Sequence, residues 1–214
     1  MNIVRIDPKN VDAESIEKVV DHLRCGGIIG YPTDTVYGLG GDGMNEDVID
    51  QIYRLKGRST QYPFPLLVGR AEDVSRLTRT ISFKAEVLME QFWPGPLTLV
   101  FSGSRSLSSL LTGKEGKVGL RLSSDPICQA ILMKFEKPLI STSANPSGHK
   151  PAQSASQVFD YFGNQVDLIL DGGEKKAGVP STVIDVSGTL PKIIREGAIS
   201  KGRIEKVIGP LNGS

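Results

Sequence analysis

Apolar runs of strand length alternate with longer stretches of helical period along nearly the whole chain, and this alternation constrains the fold more than any other feature. Apolar residues spaced i, i+3, i+4 mark one face of a helix, whereas short apolar runs closed by Gly or Pro mark strands. Asp12 stands at a helix start, ahead of Ile16, Val19, Val20 and Leu23 at helical spacing, and Gly26-Gly27 end that pattern. The apolar run 27–31 follows, stopped by Pro32, and a Thr- and Gly-rich loop covers 33–43. Asn45 caps a second helix with the stripe Val48, Ile49, Ile52 and Leu55, which runs out at Lys56-Gly57-Arg58. The same patterns predict strands over 66–68, 97–101, 118–122, 138–142, 168–170, 182–186 and 193–195. They predict helices over 82–92, 126–135 and 154–162, with a short one after Lys201; Asp125-Pro126 supplies a cap followed by proline at the first helical position. Such a chain reads as α/β or mixed α+β, and the crowding of strands late in the sequence implies some antiparallel pairing. No repeat, low-complexity segment or linker divides residues 1–214, so a single domain is expected.

Charge narrows the function. Lys and Arg total 25 against 24 Asp and Glu, a net charge of +1, so the global basic excess of a dedicated nucleic-acid binder is missing and any phosphate site must be a local cluster. Cys25 and Cys128 are too few for a disulfide framework, and with His22 and His149 they have no usual zinc spacing. Residues 1–9 are charged and lack an apolar leader core, and no apolar run is long enough to cross a bilayer; a cytoplasmic protein is expected.

The loops after the apolar runs carry hydroxyls and cations. Thr33-Asp34-Thr35 follows the first run, Ser141-Thr142-Ser143-Ala144-Asn145 follows a later one, and Ser181-Thr182 precedes another. Lys56, Arg58, Arg121 and Arg195 all fall at element ends. A turn at Gly57 lets Lys56 and Arg58 reach one polyphosphate, which needs several cations. The plainer alternative is that these two cations meet helix C-terminal carbonyls and that each Ser or Thr merely forms a turn. Residues 38–43 match G-x-G-x-x-G literally, but no strand ends directly before them and no acidic residue follows at the required distance, so they read as a flexible substrate loop. There is no Walker-type phosphate loop, and a Ser-His-Asp triad could use only His149. His22 reads as a solvated helix residue, Trp93 as a structural anchor, and Asp171-Gly172-Gly173 as a tight turn.

Taken together, several motifs occur in a telling order: Tyr31-Pro32-Thr33-Asp34-Thr35-Val36-Tyr37-Gly38-Leu39-Gly40, Lys56-Gly57-Arg58, Trp93-Pro94-Gly95-Pro96-Leu97-Thr98, Arg121, Ser143-Ala144-Asn145, Gly178-Val179-Pro180-Ser181-Thr182 and Arg195-Glu196-Gly197. Over about 26–197 the chain resembles the YrdC/TsaC family of threonylcarbamoyl-AMP synthases, in its short single-domain form. That resemblance implies a YrdC-like twisted open sheet with flanking helices and a large concave face. It implies synthesis of L-threonylcarbamoyl-AMP from L-threonine, bicarbonate or carbon dioxide, and ATP, with pyrophosphate released and Mg²⁺ carried by ATP rather than held by the protein. A separate transferase would then pass the group to tRNA; weak RNA contact is a secondary expectation, and no membrane partner is expected. By motif, Lys56, Arg58, Ser143 and Asn145 are the expected catalytic residues and also bind nucleotide, joined there by Lys117, Lys150 and Arg195. Thr33, Arg121, Ser141 and Ser181 match positions around threonine. The sequence departs from the family pattern at Ser59, where proline is common, at Leu67 or Gly69, where longer members place a histidine, and at His149-Lys150, where an arginine is frequent. Related carbamoyl-adenylate chemistry and a non-catalytic RNA-binding module remain the competing readings.

Overall fold

A computed structural model describes residues 3–175 and 179–211; Gly178 of the quoted motif lies outside them. The first strand, β1 (Ile3–Arg5), precedes α1 (Ala13–Arg24), whose Asp12 cap accepts from the Ser15 amide. Next come β2 (Ile29–Pro32), β3 (Tyr37–Gly40) and α2 (Glu46–Lys56), capped by Asn45 as its sequence requires. β4 (Leu66–Leu67), the short α3 (Val74–Leu77) and α4 (Phe83–Phe92) lead into β5 (Leu97–Ser102). After α5 (Ser109–Thr112) follow β6 (Lys117–Arg121), α6 (Pro126–Phe135), β7 (Leu139–Ile140) and β8 (Thr142–Ser143). The chain closes with α7 (Ala155–Phe162), β9 (Leu168–Asp171), β10 (Thr182–Asp185), β11 (Lys192–Arg195) and α8 (Lys201–Ile208).

Hydrogen bonding sorts these strands into two mixed sheets, ordered β1-β9-β2-β3-β8 and β11-β10-β5-β6-β4-β7. The expected run 138–142 is cut at Ser141: β7 pairs with β4 in one sheet, and β8 pairs with β3 in the other. Late antiparallel pairing is present between β10 and β11. α1 packs on α6, and their apolar faces close on β2 through Val20, Leu23, Ile29 and Ile131. A larger core includes residues of α2, α4, α7 and α8 together with strands of both sheets.

The fold departs from the sequence reading at two points. Residues 37–40 are not a flexible loop but a fully buried strand hydrogen-bonded on both sides. The glycines there serve close packing: a Cβ on Gly40 would stand 1.9 Å from the Ile140 carbonyl oxygen, and one on Gly38 would stand 2.9 Å from the Tyr31 ring. β1 was not expected, because three residues beside charged neighbours carry no periodic signal; pairing with β9 forms it. His22 is a partly solvated helix residue as expected, with its Nε2 4.0 Å from the Asp167 carboxylate. Trp93 anchors structure as expected, donating from Nε1 to the Leu97 carbonyl at 2.7 Å.

If the glycines at 37–40 exist to permit strand contact, Gly40→Ala should destabilise the fold by about 1–3 kcal/mol or more through overpacking. Urea-unfolding midpoints of wild type and variant measure this; equal midpoints would show a pliable segment instead.

Candidate functional site

The site grows from the register of the six-stranded sheet. Alternation along β6 places Lys117, Gly119 and Arg121 on one face, and the partners of these strands bring Thr98, Val100, Val183 and Asp185 onto it. The β2–β3 turn and the β7–β8 junction lean over this floor and enclose a cavity of about 820 Å³. Thr33, Ser141, Ser143 and Ser181 contribute hydroxyl-bearing residues to its wall, while Arg58, Lys114, Lys117, Arg121 and Arg195 contribute the cations. Lys56, Asn145 and Lys150 are not among the described residues that line it.

Arg121 is almost wholly buried, and its guanidinium is committed in several directions. Nη2 pairs with Asp34 Oδ1, Nε donates to the Gly95 carbonyl at 3.1 Å, and Nη1 donates to Thr35 Oγ1 at 3.4 Å. Ser123 Oγ also donates to Asp34 Oδ1, whereas Oδ2 is buried without a hydrogen-bond partner. A buried ion pair repays its desolvation only when its geometry is fixed, and here three segments fix it. The Thr33 hydroxyl donates to the Val36 carbonyl at 2.6 Å, so its first role is to shape the turn.

Ser181 and Arg195 form a second unit. Arg195 Nη2 donates to the Ser181 carbonyl at 2.9 Å, and Ser181 Oγ lies 3.0 Å from Thr98 Oγ1. Burial pushes the Arg195 guanidinium below its ordinary range, and repulsion from Arg121 and Arg58 adds to this. Burial likewise lowers Arg58. Among the described residues Arg58 and Arg195 have no carboxylate partner, so beside the Asp34-balanced Arg121 they leave positive charge in one hollow, an arrangement that stabilises a polyanion.

The two cations around Gly57 part company. α2 ends in left-handed backbone at Gly57, with φ 57° and ψ 39°. Arg58 turns into the cavity wall with its Cζ 5.1 Å from the Phe64 ring centre, and Tyr62 flanks it at 6.0 Å. Lys56 instead donates from Nζ to the Ser143 and Asn145 carbonyls, at 2.5 and 2.7 Å, and its own carbonyl accepts from the Ser147 amide. Asn145 in turn donates from Nδ2 to the carbonyls of Pro146 and His149 and leaves Oδ1 buried without a hydrogen-bond partner. Thus Lys56 and Asn145 build the loop that presents Ser143. Lys150 is exposed, and its carbonyl accepts from the Tyr161 hydroxyl.

Asp34, Thr35, Tyr62 and Asp185 were not singled out from the sequence. Asp34 and Thr35 sit inside the Thr-Asp-Thr motif and are within reach of the sequence, but Asp185 is the last residue of β10, with no motif around it. Among the described residues no group of three or more His, Cys, Asp or Glu could hold a metal ion, and no helix is long and apolar enough to cross a membrane.

The chain is similar to known proteins. The family model Sua5_yciO_yrdC, described as "Telomere recombination", matches residues 21–197. A threonylcarbamoyl-AMP synthase of Pyrococcus abyssi is 34% identical over 211 residues, which is 99% of this chain and 62% of that protein. The structure of P. abyssi Sua5 complexed with L-threonine superposes with a TM-score of 0.95 at 34% identity, over 99% of this chain and 62% of that one. E. coli YciO superposes at 0.87 with 30% identity, covering 95% of this chain and all of that one. The chain thus spans about three fifths of the length of the Pyrococcus relative.

Burial, with Arg58 adding repulsion, brings the Lys56 ammonium from 10.5 down to about 7. The unfolded chain then binds more protons than the fold between those values, so this group makes stability rise with pH across that window and withholds the gain below it. The stability difference between wild type and Lys56→Met should therefore shift in favour of wild type from pH 7 to pH 9. Urea midpoints at each pH report it, and a difference independent of pH contradicts a desolvated ammonium.

Proposed function

The chain belongs to the Sua5–YciO–YrdC family, and we propose that it condenses L-threonine, bicarbonate or carbon dioxide, and ATP into L-threonylcarbamoyl-AMP with release of pyrophosphate. The observation that carries this reading is the convergence of Arg58, Arg121 and Arg195 on one hydroxyl-lined hollow. Arg121 takes the amino-acid carboxylate at the buried end, with Thr33, Ser141 and Ser181 around the rest of the threonine. Arg58, Arg195 and Ser143 hold the phosphates, Lys117 and Lys150 lie toward the nucleoside, and Lys56 and Asn145 act on the phosphates through the loop that they hold.

The chemistry asks mainly for positioning. The threonine amine adds to carbon dioxide and loses a proton, giving a carbamate. One carbamate oxygen then attacks the α-phosphorus, a new P–O bond forms, and the bond to the pyrophosphate oxygen breaks. Charge accumulates on phosphate oxygens, where fixed guanidinium groups stabilise it without reorganisation. Mg²⁺ would arrive with ATP. The labile mixed anhydride suits a transferase that passes the threonylcarbamoyl group to tRNA in the cytoplasm, and a single domain suffices for the synthesis.

Pyrophosphate release should require threonine, bicarbonate and ATP together. Release without threonine, or with carbamoyl phosphate in its stead, would point to the related carbamoyl-adenylate chemistry; salt-sensitive tRNA binding with no release at all would favour an RNA-binding module. Arg58→Ala should lower kcat by about 100-fold, as loss of a transition-state donor does. Arg121→Ala should act on threonine use, lowering kcat/KM by about 10- to 100-fold.

A further inference from the structure

The cavity has a second end that the threonine and phosphate groups leave unused. There Lys117 Nζ lies between Glu115 Oε2 at 2.7 Å and Asp185 Oδ2 at 3.0 Å. Asp185 Oδ1 accepts from the amide and hydroxyl of Ser187, at 2.9 and 2.6 Å. Burial works against its charge, but Ser187 and Lys117 together hold the carboxyl below the ordinary range. An ionised carboxylate only accepts hydrogen bonds, and Oδ2 retains capacity for a further donor. Glu115 lines the same end, but its side chain is 75% exposed and too solvated to discriminate between ligands.

Strand geometry measures how far this end lies from the amino-acid end. Asp185 pairs with Val100 and Val100 with Gly119, so Asp185 stands two residues along and two strands across from Arg121, about 12 Å between backbones at ~3.3 Å per residue and ~4.8 Å per strand. In threonylcarbamoyl adenylate, five bonds lead from the carboxylate carbon to the α-phosphorus and five more to the 3′ oxygen of the ribose. At the ~1.2 Å of advance per bond of an extended chain, those ten bonds span about 12 Å. β10 repeats the match: Arg195 stands opposite Val183, and Asp185 follows two residues on, about 7 Å away, against ~6 Å for the five bonds from phosphorus to the diol. Beside Asp185 in the same row, Val100 and Gly119 offer no polar side chain to compete.

We infer that Asp185 reads the sugar of the nucleotide, its carboxylate, steadied by Lys117, accepting the ribose 2′,3′-diol and making the site selective for ribonucleotides. This rests on the adenylate chemistry proposed above. Carboxylates recognise ribose hydroxyls in other nucleotide-binding folds for the same reason: two donors meet an acceptor-only group. Lys117 then acts on the nucleotide by positioning Asp185.

The test compares ATP with 2′,3′-dideoxy-ATP, for the wild-type protein and Asp185→Ala, in threonine-dependent pyrophosphate release and in direct nucleotide binding by calorimetry. Wild type should favour ATP by about 10- to 100-fold, the loss expected for hydrogen bonds to a charged acceptor. Asp185→Ala should bring that ratio close to one. The substitution also removes the acceptor for Ser187, but such damage affects both nucleotides alike and leaves the ratio unchanged. If the variant does not fold, the wild-type ratio decides alone. Equal affinity of wild type for both nucleotides, or an undiminished ratio in Asp185→Ala, overturns the assignment. Absence of release with ATP would count against the reaction, while the binding ratio would still judge Asp185.

Discussion

A guanidinium buried in a sheet must find a carboxylate, and for Arg121 that carboxylate is Asp34. Arg121 ends β6 in the six-stranded sheet, and Asp34 lies in the turn between β2 and β3 of the other. Their pairing therefore draws one sheet onto the other and sets the width of the cavity between them. Because both groups are nearly excluded from water, loss of either would leave an uncompensated charge behind. The same pair decides what the amino-acid end of the cavity can do. With its charge already balanced by Asp34, Arg121 serves less as an attractor than as an oriented donor.

The second sheet crossing, at Ser141, completes the enclosure. β7 and β8 are two residues each, far too short to be stable alone, yet each extends a different sheet. The loop after β8 is then stitched to the end of α2 by the Lys56 ammonium. A lysine kept from water by backbone carbonyls is an expensive fixture, and its place here is explained by the geometry of the Ser143–Asn145 loop. Gly57 makes the division possible, since its left-handed backbone turns Arg58 away from Lys56 and into the hollow.

The cavity is consequently polar in an ordered way. Guanidinium groups gather where the two sheets meet, and the next row holds the neutral Gly119 and Val100 with an ionised Asp185 bound to Lys117 at its edge. A ligand with a carboxylate at one end, phosphates in the middle and hydroxyls at the other matches that sequence of charges. No single residue accounts for this fit; the strand register does.

The helices were legible in the sequence because capping and period are local properties: Asp12, Asn45 and Asp125 cap as their positions demand, and the stripes they introduce are buried. The cations and hydroxyls of the site were also legible, as residues gathered at element ends. What the chain alone could not reveal was pairing. Tyr37–Gly40 read as a mobile glycine loop, because only a neighbouring strand pressed against Gly40 shows that glycine is there for want of space. Asp185 was silent for the same reason, since a carboxylate in a strand acquires a role only from the residues that register sets opposite it. Local energetics wrote the elements and their chemistry into the sequence; which faces met, and so which charges shared one hollow, was decided by contacts between residues far apart in the chain.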